Sequence, residues 1–263
     1  MKTTLTNQQI EEYQRDGFIT IEGFLDDGEL KTWRETTDDA VRQRLAGDGG
    51  MSNQGSDSYY AQVFTQCTRL ADTHEGMKGL VYDARLGEVA ATLAGVDGIR
   101  IWHDQALIKP PYGNPTAFHL DNPYWSFSSR DAISIWVALD DATLSNGCMW
   151  YLPGTQKSAS WDNSSIGENI RDIFNFYPDW AEIEAVSAPA SAGSAVFHNG
   201  LVAHGAGANM TRRARRAMTC GYMPDGSTFN GKQNVLREEY FNSLQIGDVI
   251  DDEEQVPLLW KKG

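Results

Sequence analysis

Five histidines occur in this 263-residue chain: His74, His103, His119, His198 and His204. His119 and Asp121 form a His-x-Asp pair within Ala117-Phe118-His119-Leu120-Asp121. On a strand, residues two apart project from the same face, so the pair would offer an imidazole and a carboxylate side by side. A histidine distant in sequence would complete two imidazoles and one carboxylate on one face of a metal ion. Such a set leaves coordination positions open and suits iron(II) and oxygen chemistry. The pair alone is a weak signal, because a single histidine at a strand end is more often an ordinary hydrogen-bonded side chain. His74 lies in a polar, helical context that reads as surface.

The elements that must position these residues are legible as patterns. Thr6 with Gln9 makes a capping box for a first helix, and Gly17 stops it. Residues 18–23 alternate as a short strand. Asp26 or Asp27 opens a second helix through Leu30, Trp33 and Val41 to about Leu45. Residues Ala46 to Ser58, rich in Gly, Ser and Asn, read as a mobile loop. A further helix covers Arg85 to Leu93 and ends at Gly95.

From Gly98 onward short strands replace helices: around Ile99–Ile101, Leu107–Ile108, Ile133–Leu139, Met149–Leu152, Ser194–Phe197 and Met218–Tyr222. Turn signals such as Ser145-Asn146-Gly147 and Pro153-Gly154 separate them. This spacing predicts a β-barrel or double-sheet jelly roll. Residues 163–183 read as a polar, partly helical insertion. In Ile133–Leu139, Ile133, Ile135, Val137 and Leu139 share one face, which predicts packing against helices. Ser134, Trp136 and Ala138 take the other face, so Trp136 is expected inside the barrel.

The formal charge of −14 disfavours nucleic-acid and anionic-membrane partners. The three cysteines, Cys67, Cys148 and Cys220, are scattered and form no CxxC pair, so neither a zinc knuckle nor a disulfide framework is supported. Reduced, buried thiols in a cytoplasmic protein are the simplest reading. Residues 1–15 lack the apolar core of a signal peptide, and no stretch approaches the ~20 apolar residues of a membrane helix. One domain over 1–263 is expected: a mainly helical flank (1–97), a barrel core (98–225) and a C-terminal extension (226–263).

Three blocks go further. The segment Ile108-Lys109-Pro110-Pro111-Tyr112-Gly113 through His119-Leu120-Asp121-Asn122-Pro123-Tyr124-Trp125 resembles the phytanoyl-CoA dioxygenase family. So do Ile135-Trp136-Val137-Ala138-Leu139-Asp140-Asp141 with Asn146 to Thr155, and His204-Gly205-Ala206-Gly207-Ala208-Asn209 closing on Arg215-Arg216-Ala217. The opening Tyr13-Gln14-Arg15-Asp16-Gly17-Phe18 is also similar to the family, and the blocks stand in its order. The resemblance implies an α+β, mainly β fold: a double-stranded β-helix (a jelly-roll, cupin-like core) with flanking N-terminal helices. It implies Fe(II), 2-oxoglutarate and O2 as reactants, with His119, Asp121 and His204 as iron ligands. Arg215, eleven residues after His204, matches the arginine that grips the far carboxylate of 2-oxoglutarate, a task suited to a planar fork of donors. Trp136 and Gln105 match positions lining the co-substrate pocket.

His198 competes with His204 for the third ligand position. The eleven-residue offset from His198 lands on Asn209, which cannot serve as a cation, and His204 directly precedes Gly205. His204 is therefore the expected ligand, with His198 a turn residue or one hydrogen-bonding beside the site. Two positions depart from the wider pattern: Ala206 and Ala217 stand where relatives often carry hydroxyl residues, so co-substrate support is expected from Gln105 and Thr219.

The activity implied is a dioxygenase that hydroxylates an unactivated C–H bond of a small molecule, releasing succinate and CO2. Asp121 matters to this outcome, because related halogenases lack that carboxylate. Desaturation or demethylation remains open at this level, as does monomer or homodimer. Two rival readings are a non-catalytic or regulatory barrel that retained the site, and a zinc-dependent cupin-type isomerase or hydrolase. The complete ligand set opposes the first, and the dicarboxylate anchor opposes the second.

Overall fold

The computed structural model describes residues 1–263. The chain opens with α1 (Asn7–Asp16), β1 (Phe18–Ile21) and α2 (Asp27–Leu45). Next come β2 (Met51–Ser52), α3 (Tyr59–Val63), β3 (Thr65–Thr68), α4 (Glu75–Val81) and α5 (Ala84–Ala94). Strands then dominate: β4 (Gly98–Lys109), β5 (Thr116–His119), β6 (Ile133–Ala138) and β7 (Met149–Tyr151). They continue as β8 (Val186–Ala188), β9 (Ala195–Asn199), β10 (His204–Ala206) and β11 (Arg215–Pro224). The chain ends with α6 (Glu238–Ser243) and β12 (Leu258–Lys261).

Local chemistry sets the helix ends. The Thr6 hydroxyl accepts from the Gln9 amide at 3.2 Å, while the Gln9 side chain accepts from the Thr6 amide at 2.9 Å. Asp26 repeats the device for α2, accepting from Glu29 N at 2.8 Å. Each cap is worth about 1 kcal/mol, so either capping residue changed to alanine would fray its helix. Gly17 closes α1 at φ 83°, a left-handed conformation that glycine adopts without strain.

Every strand pairing is antiparallel. The major sheet runs β1-β9-β6-β11-β4-β3-β2, with β12 also on β4, and the minor sheet runs β5-β10-β7-β8. This is the expected double-sheet jelly roll. The period-two reading of β6 holds. Ile133, Ile135, Val137 and Leu139 share a core with Trp33, Val41, Leu86 and Val89 of the helices. Trp136 and Ala138 belong instead to the interior cluster with Met149, Tyr151 and Val196.

Two segments differ from expectation, and a third, partly helical as expected, adds buried side chains. The major sheet recruits β1, β2, β3 and β12, so it reaches beyond 98–225 in both directions. Residues 46–58 are more than a loop, because β2 pairs Met51 with Thr68. Just before it, Asp48 accepts from buried Arg44 at 2.7 Å and from the Thr73 hydroxyl at 2.7 Å. Glycine content hid that ion pair. Residues 163–183 form two 3₁₀ turns, Asp172–Asn175 and Pro178–Glu182. Although polar overall, they bury Ile173 and Trp180 in a cluster with Leu120, Leu201 and Ala203, next to the segments that carry His119 and His204. No helix is long and apolar enough to cross a membrane.

Candidate active site

His119 is the last residue of β5, and Asp121 lies past the strand end. The backbone has already turned there (φ −79°, ψ −53°), leading into a 3₁₀ turn at Asn122–Tyr124. The expected mechanism of convergence is thus corrected: the turn after the strand, and not strand pleating, brings carboxylate and imidazole together. β10 supplies the other imidazole, because His204 pairs directly with His119 in the ladder. The two rings lie 4.3 Å apart. A Cβ on Gly205 would come within 2.6 Å of the Thr116 carbonyl, so glycine is needed for β10 to close on β5.

Asp121 Oδ1 lies 3.6 Å from His119 Nε2 and 3.5 Å from His204 Nε2. Metal–ligand bonds of about 2.0–2.2 Å allow two ligand atoms to stand no more than about 4.4 Å apart, so these spacings fit one ion. The imidazoles share an orientation. His119 Nδ1 faces the Ala117 carbonyl at 2.9 Å and His204 Nδ1 faces the Val202 carbonyl at 3.1 Å. A carbonyl can only accept, so each Nδ1 carries a proton, which leaves Nε2 as the atom each ring turns toward the metal position. Burial, reinforced by His119, holds His204 well below the ordinary imidazole pKa and therefore neutral. Burial alone would raise the Asp121 pKa; the surrounding imidazoles, His204 first, outweigh it and keep the carboxyl well below its ordinary range. Two imidazole nitrogens and one carboxylate are the donor set of a non-haem iron(II) site.

The second oxygen of Asp121 is tied from behind. Oδ2 accepts from the Ser134 hydroxyl at 2.9 Å and lies 3.1 Å from His198 Nε2. His198 Nδ1 in turn faces the Tyr151 hydroxyl at 3.2 Å. His198 is therefore on strand β9 and not in a turn; as expected, it hydrogen-bonds beside the site. It fixes Asp121 so that Oδ1 alone points at the metal position.

Arg215 and Lys109 are cross-strand partners on β11 and β4, and both are fully buried. Arg215 gives one hydrogen bond, from Nη2 to the Gly147 carbonyl at 3.1 Å, while Nε and Nη1 have no partner. Lys109 Nζ donates to the Asn114 carbonyl at 2.6 Å, and no carboxylate pairs with either cation. Burial and the neighbouring Arg215 lower Lys109 to about 7; burial lowers Arg215 to about 10. Two buried cations with free donors make a site for an anionic group of the carboxylate type. The guanidinium lies 5.0 Å from the Trp136 ring and 5.7 Å from the Phe64 ring.

A cavity of about 480 Å³ opens onto the three metal-binding residues. Gln105, Thr219 and Trp136 form one cross-strand row along its wall, as register requires. Gln105 accepts from Gln66 at 2.5 Å. Of the aromatic run after the metal pair, Tyr124 and Trp125 line the cavity, while Phe127 does not and packs in a core cluster with Trp102 and Trp125. Ala206 lines the cavity; Ala217 is sealed in the interior cluster. His74 is elsewhere, capping α4 by accepting from Met77 N at 3.1 Å. Sequence reasoning missed Lys109, Ser134 and His103 as site residues. Register alone could have found Lys109, since strand pairing places it opposite Arg215.

Comparison with known proteins agrees with this geometry. The family model for phytanoyl-CoA dioxygenase matches residues 13–217, over three-quarters of the chain. Human peroxisomal phytanoyl-CoA dioxygenase is 28% identical over 231 residues, covering 83% of this chain and 68% of that protein. Methylphosphonate hydroxylase of Gimesia maris is 26% identical over 242 residues, covering 92% and 87%. Among solved structures, the non-haem α-ketoglutarate-dependent carbocyclase SnoK of nogalamycin biosynthesis superposes with a TM-score of 0.81 at 25% identity, covering 97% of this chain and 96% of its own. The chain belongs to the phytanoyl-CoA dioxygenase family and is a 2-oxoglutarate-dependent non-haem iron dioxygenase.

Proposed function

We propose that His119, Asp121 and His204 hold the iron while Arg215 grips the far carboxylate of 2-oxoglutarate, and that the enzyme hydroxylates a C–H bond of a small molecule. The observation that supports this most directly is the pairing of a three-ligand cluster with a buried guanidinium carrying two unpartnered donors. Lys109 adds a second positive charge at the same end. Trp136 forms a wall of the co-substrate pocket, and Gln105, oriented by Gln66, supplies a polar edge. Iron with 2-oxoglutarate and O2 supplies the oxidising power, releasing succinate and CO2.

The chain's own residues bind, orient and exclude water. Ser134 and His198 keep Asp121 from chelating through both oxygens, which leaves coordination positions for co-substrate. Phe64 and Trp136 screen the cations from solvent and strengthen their hold on a carboxylate. The three cysteines are free and buried, which suits a reducing, cytoplasmic setting, with the chain acting as a monomer or homodimer. The test is anaerobic titration of the Fe(II) protein with 2-oxoglutarate, followed by its charge-transfer absorption, then succinate release on admitting O2. An iron-loaded protein that neither develops the band nor forms succinate overturns the assignment.

A further inference from the structure

Substrate identity rests on the part of the cavity that neither iron nor 2-oxoglutarate needs. His103, Gly221, Ser134 and His198 form one row across β4, β11, β6 and β9. Side chains in such a row share a face. Ser134 and His198 hold Asp121 at one end, and His103 stands at the other. Two strand spacings separate His103 from Ser134, about 10 Å of backbone. A Cβ on Gly221 would lie 3.0 Å from both the His103 and Trp125 rings. Glycine there lets both rings settle onto the sheet, which leaves room between them and Asp121.

The charge of this room is unusual for an enzyme that must hold a substrate. Of the residues lining the cavity, Asp121 is the single carboxylate, and none is lysine or arginine. Arg69, whose guanidinium donates to the Val235 carbonyl at 3.4 Å, is committed to Asp72 at 2.8 Å. Lys109 and Arg215 are not part of that lining; both lie against Phe64. An anionic substrate group placed near His103 would meet no free counter-ion, because Arg69 is already paired with Asp72, and a buried unpaired charge is strongly disfavoured.

His103 itself is unspent. Its Nδ1 is buried without a hydrogen-bond partner, close to Gly221, which leaves Nε2 for a ligand in the cavity. Its ring meets Trp125 edge-on, with centroids 5.7 Å apart and planes at 81°. Burial lowers its pKa to about 4, so the ring is neutral and can exchange a hydrogen bond with a hydroxyl or carbonyl. Tyr60, Tyr124 and Trp125 supply aromatic walls.

We infer that the substrate is an uncharged, flat ring compound bearing a hydroxyl or carbonyl, seated between Asp121 and the His103–Trp125 pair and anchored by His103. This inference rests on the dioxygenase reading above. His103 would then be the residue that chooses which substrate edge faces the metal.

The test is anaerobic equilibrium dialysis of the Fe(II)·2-oxoglutarate protein against three probes: 2-naphthol, 2-naphthyl phosphate and naphthalene. 2-Naphthol is expected to bind at least about tenfold more tightly than the phosphate. His103→Leu is expected to weaken 2-naphthol about tenfold, one hydrogen bond to a buried group, and to leave naphthalene unchanged. Gly221→Ala, which pushes both rings into the room, is expected to weaken both neutral probes while the charge-transfer band persists. Equal binding of the phosphate, equal effects of His103→Leu on both neutral probes, or no 2-naphthol binding at saturation would each overturn the inference. The band separates the two levels: its absence in the unaltered protein overturns the dioxygenase reading, whereas unselective binding with the band intact overturns this one alone.

Discussion

The surroundings of Arg215 and those of His103 are built on opposite electrostatic plans. At the Arg215 end, two cations are buried together with no carboxylate hydrogen-bonded to either, at the expense of lowered pKa values for both. At the His103 end the one nearby cation, Arg69, is already paired with Asp72, and the His103 ring is held neutral. Burying like charges side by side is destabilising unless an anion neutralises them. The first set of groups suits a ligand that arrives as a dicarboxylate, as proposed for 2-oxoglutarate, and the second suits the uncharged substrate inferred above.

The sharpest way to break this arrangement is to remove the centre. His204→Ala leaves two of three ligands. Binding free energies for protein metal sites run to roughly 10–16 kcal/mol, so losing a third of one should weaken iron on the order of a thousandfold. Measured metal content after dialysis checks this, and retention of stoichiometric iron would return His198 to contention.

Next is the cationic end. Arg215→Ala is expected to weaken 2-oxoglutarate by about 2–4 kcal/mol, the worth of a charge-assisted bidentate contact, while iron content stays intact. Arg213, exposed and two residues away, is the control. If Arg213→Ala does the greater damage in a 2-oxoglutarate titration, the anchor has been misplaced.

His198→Ala tests the tie behind Asp121. Removing an outer hydrogen-bond partner of a metal ligand typically lowers metal affinity or activity about 10–100-fold, well short of losing a ligand. Its signature should be a shifted charge-transfer band with iron still bound; an unchanged band and unchanged turnover would show that Ser134 alone suffices.

The smallest effect is a proton count. Without an anion, Lys109 has its pKa lowered to about 7, against 10.5 in the unfolded chain. The unfolded state then binds more protons between these values, so this group makes stability rise with pH from about 7 to 10. A bound dicarboxylate favours the charged lysine and raises its pKa again. Near pH 8, 2-oxoglutarate binding should thus take up a fraction of one proton, read by calorimetry in buffers of different ionisation enthalpy. Lys109→Met should abolish the uptake. Equal apparent enthalpies in all buffers for the unaltered protein would remove Lys109 from the anchor.

Much of this molecule is written in local pattern. The capping boxes at Thr6 and Asp26, the stop at Gly17 and the period-two alternation around Trp136 depend on neighbours a few residues away, so the sequence alone determined them. The spacing of His119, Asp121, His204 and Arg215 likewise carried the chemistry through its resemblance to a family. Cross-strand register was decided elsewhere. Lys109 meets Arg215 across 106 residues, and His198 meets Asp121 across 77. Asp121 reaches the metal position through a turn that no strand periodicity describes. Even the pair between Arg44, at the end of α2, and Asp48 of the glycine-rich stretch needed the Thr68 and Arg69 carbonyls to make a buried charge tolerable. Local propensities depend on contacts close in sequence, and so can be read in order; a buried charge is settled by whichever distant strand brings it a partner, and only the folded sheet specifies that strand.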